Sequence, residues 1–175
     1  TNIDDFIKIR SLENGKKIIK DDLIFEKNYR SYDFYIKRKT IEKNLKETYM
    51  NLNDRKIFGN YKLKTALVSY DFYKNSSKKN RAFYSLENLD DISIKIRYRV
   101  NGDYFTAMKN GKRKKLKDFF IDEKIDRKDR DKIPLLFINN KLAWIVGKRR
   151  SEDFKVKYDD TNILMVSVEE LWKLI

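Results

Sequence analysis

The run from Leu135 to Val146, LLFINNKLAWIV, constrains the fold of this chain more than any other stretch. Two apolar segments flank Asn139 and Asn140, and Asn tolerates the positive backbone angles that a tight hairpin turn demands. A β-hairpin is the expectation there. In SIKIRYRV, Ile94, Ile96, Tyr98 and Val100 fall on one side and Lys95, Arg97 and Arg99 on the other, the period of a half-buried strand with a cationic face toward solvent. Near the end, NILMVSV reads as one more strand, and the tail EELWKLI suits a short helix.

Short helices are expected between these strands. In NGKRKKLKDFFID (110–122), Leu116, Phe119 and Phe120 stand at i, i+3 and i+4, an apolar stripe that turns Lys114, Lys115, Lys117 and Asp118 outward. Asp126 is a good N-cap for a second helix, which Pro134 confines to residues up to about Lys132; its surface, DRKDRDK, reads as fully solvated. Upstream, Ile3, Phe6 and Ile7 fit a helix tail stopped by Gly15. Leu23, Phe25, Phe34 and Ile36 suit one side of short strands turning at 28–31. The span 39–60 fits a helical turn or a loop equally well. YKLKTALVSYDFYK (61–74) is strand-like, with Leu63, Ala66 or Leu67, and Val68 available for burial. NSSKKN (75–80) is the most linker-like segment and sets the expected boundary near residue 80. The fold class is read as α+β: an N-terminal mixed segment of helix and short strands over 1–80, then a compact C-terminal domain of antiparallel strands with two short helices over 81–175.

Composition narrows the chemistry. The 41 Lys and Arg against 27 Asp and Glu leave a net charge of +14, a field that attracts polyanions, so nucleic acid is the first partner to consider. With no Cys there is no disulfide, zinc finger or thiol nucleophile, and with no His a common general base and metal ligand is absent. No apolar run approaches the roughly 18 residues needed to cross a bilayer, and the start lacks the plan of a signal peptide, so no membrane partner and a cytoplasmic location are expected. No glycine-rich phosphate loop occurs among the five Gly. The adjacent acids Asp90–Asp91 and Asp159–Asp160 suit turns better than a catalytic pair. Tyr29, Tyr32, Tyr35, Tyr70 and Tyr73 suit core and rim better than base stacking. No catalytic constellation emerges.

Basic residues are the remaining signal. Between Lys109 and Lys117 the chain carries Lys109, Lys112, Arg113, Lys114, Lys115 and Lys117 with no acid among them. Cations at a helix start oppose the macrodipole at a cost of about 0.3–1 kcal/mol at exposed sites. A phosphate meeting free backbone N–H groups and these side chains would reverse that penalty. Lys112, Arg113, Lys114, Lys115 and Lys117 are therefore candidate RNA contacts, together with Arg97 and Arg99 on the strand and Lys148, Arg149 and Arg150 after the hairpin. The alternative is an ordinary lysine-rich surface softened by salt.

The strand IKIRYR with Gly102 and Asp103, KKLKDFFIDEKI (114–125), RDKIPLL (130–136), LAWIVG (142–147) and RSEDFKV (150–156) occur in an order and spacing that resemble the C-terminal domain of the tRNA(Ile)-lysidine synthetase family. Residues 1–80 resemble more loosely the central substrate-binding segment of that family. The resemblance implies an enzyme that uses ATP to adenylate the wobble cytidine of an isoleucine tRNA and then attaches lysine. That chemistry belongs to an N-terminal domain with an SGGxDS loop, which this sequence does not contain. The chain, opening TNIDD without Met, is thus expected to be the C-terminal part of a longer ligase. It would hold no cofactor itself, with ATP and Mg bound in the N-terminal catalytic domain, and would carry no metal site and no catalytic residue. Its implied partners are isoleucine tRNA and that catalytic domain, with a homodimer also open. Lys114, Lys115 and Lys117 carry over as phosphate contacts, and Leu116, Phe119 and Phe120 as packing. A different class stays open as well: a structural module packed against the catalytic domain or a second subunit, its basic surface only solubilising.

Overall fold

A computed structural model describes residues 8, 10–20, 23–36 and 47–171. The apolar runs of the LLFINNKLAWIV stretch pair as β11 (Leu135–Ile138) and β12 (Lys141–Ile145), with Asn139 and Asn140 at φ 45° and 62°, the left-handed values the turn requires. Asn139 fastens the turn to the chain ahead of the preceding strand. Its N–H donates to the Ser93 carbonyl (2.9 Å), its Oδ1 accepts from the Ser93 N–H (2.8 Å), and its Nδ2 donates to the Asp91 carbonyl (2.8 Å).

That hairpin is the centre of a five-stranded antiparallel sheet. β8 (Ile94–Arg97) pairs with β11, β4 (Thr48–Met50) lies outside β8, and β13 (Arg149–Arg150) lies outside β12. A second antiparallel sheet has four strands: β5 (Arg55–Phe58), β6 (Tyr61–Val68), β14 (Ile163–Glu170) and β7 (Arg81–Ser85), in that spatial order. Ile94, Ile96, Leu136 and Ile138 from the first sheet and Leu63, Ala82, Tyr84, Leu164 and Val166 from the second form one buried apolar cluster. Alternation is clear in β8, where Ile94 and Ile96 enter this core and Lys95 and Arg97 do not, and burial there is worth about 25 cal/mol per Å² of apolar surface removed from water. A two-stranded ribbon, β9 (Tyr104–Thr106) with β10 (Arg113–Lys115), leads into α2 (Leu116–Asp122), which follows α1 (Tyr70–Asn75) in chain order. Leu116, Phe119 and Phe120 are all buried, as their spacing predicts.

The chain divides into two compact units, residues 45–117 with 132–175, and residues 1–44 with 118–131. Within the smaller unit, β1 (Lys17–Lys20), β2 (Leu23–Lys27) and β3 (Tyr32–Ile36) form an antiparallel meander. Here the second short helix, α3 (Arg127–Arg130), also belongs. Asp126 takes the N-cap position but caps nothing: its Oδ1 accepts from the Tyr29 N–H at 2.8 Å. Nor is the surface of α3 fully solvated. Lys128 pairs with Asp33, and Arg130 is buried with its Nε donating to the Ile125 carbonyl at 2.8 Å. Gly15 stands at φ 77°, a left-handed value that residues with a Cβ rarely adopt.

Several expectations are corrected. Residues on both sides of position 80 share one sheet, because β14 pairs with β6 and β7; the units part at 44/45 and around 118–131 instead. YDFYK is helical, not extended, because Ser69 caps α1 by accepting from the Phe72 N–H at 3.2 Å. Leu63 is buried but Leu67 is exposed. β8 stops at Arg97, which leaves Val100 exposed. Phe25 opposes Phe34 on one side of the meander, as read, yet the buried side is that of Ile24 and Glu26. Glu169 and Glu170 extend β14 rather than starting a helix. The proposed helix at Ile3–Ile7, part of the 39–60 span and Trp172 fall outside the described residues. No helix among the described residues is long and apolar enough to cross a membrane. Antiparallel sheets dominate, and the helices described are short.

Candidate nucleic-acid interface

The basic ribbon does not have the form its sequence suggests. Arg113, Lys114 and Lys115 are the residues of β10, held opposite Thr106, Phe105 and Tyr104, so α2 begins only at Leu116. The Leu116 N–H donates to the Asp103 carbonyl at 2.8 Å and is not open to an anion. Strand alternation further separates the cluster. Lys114 shares a side with buried Phe105 and is half-buried, whereas Arg113 and Lys115 lie on the other side with Tyr104. The Arg113 guanidinium stacks over the Tyr104 ring, 4.7 Å from its centroid. Lys112 lies in the exposed turn, where Ala107 N–H donates to the Lys112 carbonyl, and Lys117 is exposed on α2.

The cationic face expected on β8 is neutralised. Arg97 makes a two-pronged pair with Asp103, Nη1 to Oδ2 at 2.8 Å and Nη2 to Oδ1 at 2.7 Å, and its Cζ lies 4.1 Å from the Phe137 ring centroid. Lys95 meets Glu47 at 3.2 Å. Arg99 lies beyond the strand end and is half-buried. Arg97 and Lys95 thus support the fold and contribute little field outside it.

Lys148, Arg149 and Arg150 have the opposite fate. β13 and the residue before it bring all three to the wall of a cavity of about 440 Å³, which Lys78, between α1 and β7, and Arg81, at the start of β7, also line. Trp144 and Phe83, both buried, also line it, with half-buried Tyr73. The Lys78 ammonium stands over two rings, 3.7 Å from the Tyr73 centroid and 4.3 Å from that of Phe83, and donates to the Tyr73 carbonyl. The rings strip part of its water and Arg150 adds repulsion, which together hold its pKa below the ordinary lysine value. Glu152 and Asp153 are the acids of the rim, and both are engaged. Glu152 pairs with Lys155 at 3.7 Å, while Asp153 accepts from the Ser151 hydroxyl at 2.7 Å. No ion pair is made by Lys78, Arg81, Lys148, Arg149 or Arg150 among the described residues.

The cavity adjoins the basic ribbon through main-chain contacts. Arg149 Nη2 donates to the Ala107 carbonyl at 3.2 Å, and Ser151 and Glu152 donate to the Thr106 carbonyl at 3.2 and 2.9 Å. The 148–150 cluster and the turn holding Lys112 therefore lie side by side, while Arg97 is excluded. Sequence reading passes over Lys78 and Arg81, because KKNR inside a polar stretch has the composition of a linker. The signal that could have found them is the pair of Tyr residues at 70 and 73, one helical turn apart and just ahead of it. Such a site can seat a phosphate-rich ligand over an aromatic floor, and no cluster of metal-ligating side chains occurs among the described residues.

Comparison with known proteins bears on the same region. Residues 94–168 match the family described as the TilS substrate C-terminal domain. The chain is similar to the tRNA(Ile)-lysidine synthase of Clostridium tetani, 37% identical over 126 residues, which cover 71% of this chain and 27% of that protein. It is 45% identical over 73 residues to the tRNA(Ile)-lysidine synthase of Caldanaerobacter subterraneus subsp. tengcongensis, covering 42% of this chain and 16% of that protein. The chain thus spans about a quarter of the length of the first of these relatives. A crystal structure described as that of the TILS C-terminal domain matches at a TM-score of 0.59 and 19% identity, covering 73% of this chain and 100% of that one, which shows a shared fold.

Proposed function

The chain belongs, through residues 94–168, to the tRNA(Ile)-lysidine synthetase family as part of its C-terminal portion, and from that premise we propose that it holds tRNA for the synthase. The reaction, ATP-dependent ligation of lysine to the wobble cytidine of an isoleucine tRNA, is the work of the N-terminal catalytic domain, where ATP and Mg bind. This portion supplies grip. The observation that carries the reading is the set of uncompensated cations, Lys78, Arg81, Lys148, Arg149 and Arg150, around one cavity. Five like charges around a cavity whose two acids, Glu152 and Asp153, are engaged with Lys155 and Ser151 repel one another, and a polyanion removes that repulsion. A duplex stem is recognised by its shape, phosphates and 2′-hydroxyls, so these side chains position the RNA rather than read its sequence.

Titration with isoleucine tRNA and a non-cognate tRNA at two salt concentrations tests this. Replacing Lys78, Arg149 and Arg150 together by Ala should weaken binding to both and lower the log–log salt slope by roughly 2–3, about one per lost phosphate contact. The same change at Lys114, Lys115 and Lys117 should alter the slope less, since Lys114 is turned toward Phe105. Unchanged affinity and slope in the cavity variant would overturn the assignment. The interaction-module reading is supported by a different place, the smaller unit, where Leu23 and Phe34 are 48% and 53% exposed on one side of the meander. It predicts that tRNA affinity is weak and indifferent to the cavity substitutions.

A further inference from the structure

Beside the cavity the chain presents a connected series of aromatic rings. Phe83 meets Tyr73 edge to face at a centroid distance of 5.3 Å, Tyr73 meets Tyr70 at 5.8 Å, and Tyr70 meets Tyr158 at 5.7 Å with their planes at 77°. The first two line the cavity beneath Lys78. The last is 80% exposed.

Tyr158 is held in that position by a closed turn. Asp160, itself buried, accepts from the Lys157 N–H through Oδ2 at 2.7 Å, and Asp159 adopts φ 63°. A ring so exposed removes little apolar surface from water, and folding gives no reason to prefer Tyr there over a polar residue. An isolated exposed aromatic would carry no message. This one is backed by Tyr70 and lies at the outer end of a series whose inner end underlies the uncompensated cations. Cations along a backbone track with aromatic faces beside it are the two components by which single-stranded nucleic acid is held, because every base has a π-face to stack.

We propose that Tyr158 stacks on an unpaired base of an RNA whose phosphates lie on Lys78, Arg149 and Arg150, so that the preferred ligand is a duplex with a single-stranded end. The inference rests on the tRNA-holding reading above and adds the ligand's form: unpaired nucleotides next to the stem. The tyrosine hydroxyl is not required for this, whereas the ring is.

The test compares two RNA stems of the same sequence with this chain, one blunt and one with a short unpaired extension carrying 2-aminopurine. The extended RNA should bind about five- to tenfold more tightly, and 2-aminopurine fluorescence should fall on binding as the base stacks. Tyr158→Ala should abolish both the preference and the quenching while leaving blunt-stem affinity as it was. Tyr158→Phe should keep both. Equal affinity of the two RNAs for the unsubstituted chain, or a preference that survives Tyr158→Ala, overturns the proposal while the cation reading stands. Salt-insensitive or absent binding of both stems overturns the underlying reading, and the stacking proposal with it. Because Tyr158 is exposed, the variants should keep the far-ultraviolet circular dichroism of the parent, which separates lost stacking from lost folding.

Discussion

Arg97 and Arg150 are the same residue type on strands of the same sheet, and they do different work. Arg97 is clamped by both oxygens of Asp103 and stands over the Phe137 ring. Arg150 sits opposite Trp144 in the strand register, beside Lys78, with no carboxylate partner among the described residues. The first cation is compensated within the fold, and the second makes no ion pair among the described residues. Charge density along the sequence therefore does not tell which cations are compensated; the pairing made by the fold does. The net charge of +14 is spread over the whole chain, but only part of it is available at short range to a ligand.

Stability measurements can break that comparison. The largest loss is expected for Asp103→Ala, which strands the Arg97 guanidinium with side-chain exposures of 18% for Arg97 and 9% for Asp103 in the intact pair. Removing one partner of a largely buried pair should cost about 3 kcal/mol, read as a lower urea midpoint with an unchanged m-value. Asp103 also accepts from the Val100 N–H at 2.8 Å, so the turn before β9 loses an anchor. A loss below ~1 kcal/mol would place Arg97 among the weakly held surface cations and erase the distinction. Next comes Ser69→Ala, which removes the cap of α1 and should cost about 1 kcal/mol by the same assay. Since α1 positions Tyr73 under Lys78, quenching of an RNA probe should weaken in step.

How much of this was legible depended on how local the cause was. Asn139–Asn140 between two apolar runs sufficed for the hairpin, and Leu116, Phe119 and Phe120 for the buried stripe of α2, because both signals lie within a few residues. Arg113–Lys115 could not be read as a strand: three cations in a row have no apolar alternation, and their extended form comes from pairing with Tyr104–Thr106. α1 was obscured because YDFYK alternates like a strand, while the deciding feature is one hydroxyl at Ser69. The cavity was hidden for a topological reason. β14 inserts between β6 and β7, and β13 reaches the edge of the other sheet, so residues 78–81 and 148–150 meet only after these long-range pairings form. The resemblance found the family from ordered motifs, but it pointed to Lys114, Lys115 and Lys117 and gave no weight to Lys78.

A smaller effect is expected in the other unit, where Lys128 pairs with Asp33. The Lys128 side chain, first by hydrogen bonding and then by charge, holds the Asp33 carboxyl below its ordinary value of 3.8, and Asp33 holds the Lys128 ammonium above 10.5. The lowered carboxylate contributes stability that is present above pH 3.8 and lost as pH falls through the folded-state value. The raised ammonium contributes stability that is present below pH 10.5 and lost as pH rises through its folded value. With side-chain exposures of 27% and 35%, solvent screening limits the pair to about 0.5 kcal/mol. Asp33→Asn should flatten the acid limb of the unfolding midpoint between pH 4 and the acid extreme by roughly that amount. Identical acid limbs for the two proteins would mean that the pair contributes nothing in solution, unlike the clamp at Arg97.

The smallest stability effect, and the sharpest contrast with Arg97, is expected for Arg150→Ala. The guanidinium is exposed, pairs with no acid among the described residues, and adds to the depression of the Lys78 pKa. A lysine whose folded value is lowered opposes folding at neutral pH, and that penalty fades as pH rises through the folded value toward the unfolded one. Taking away Arg150 should raise the Lys78 pKa and lessen the penalty, while little apolar contact is lost with the exposed side chain. The midpoint of unfolding at pH 7 should therefore move by no more than about 0.5 kcal/mol, and upward if it moves. The same substitution should weaken RNA binding and lower its salt slope by about one. A cation whose removal leaves folding unharmed and binding impaired is serving the ligand. A substantial loss of stability would instead put Arg150 with Arg97, as a residue the fold itself requires.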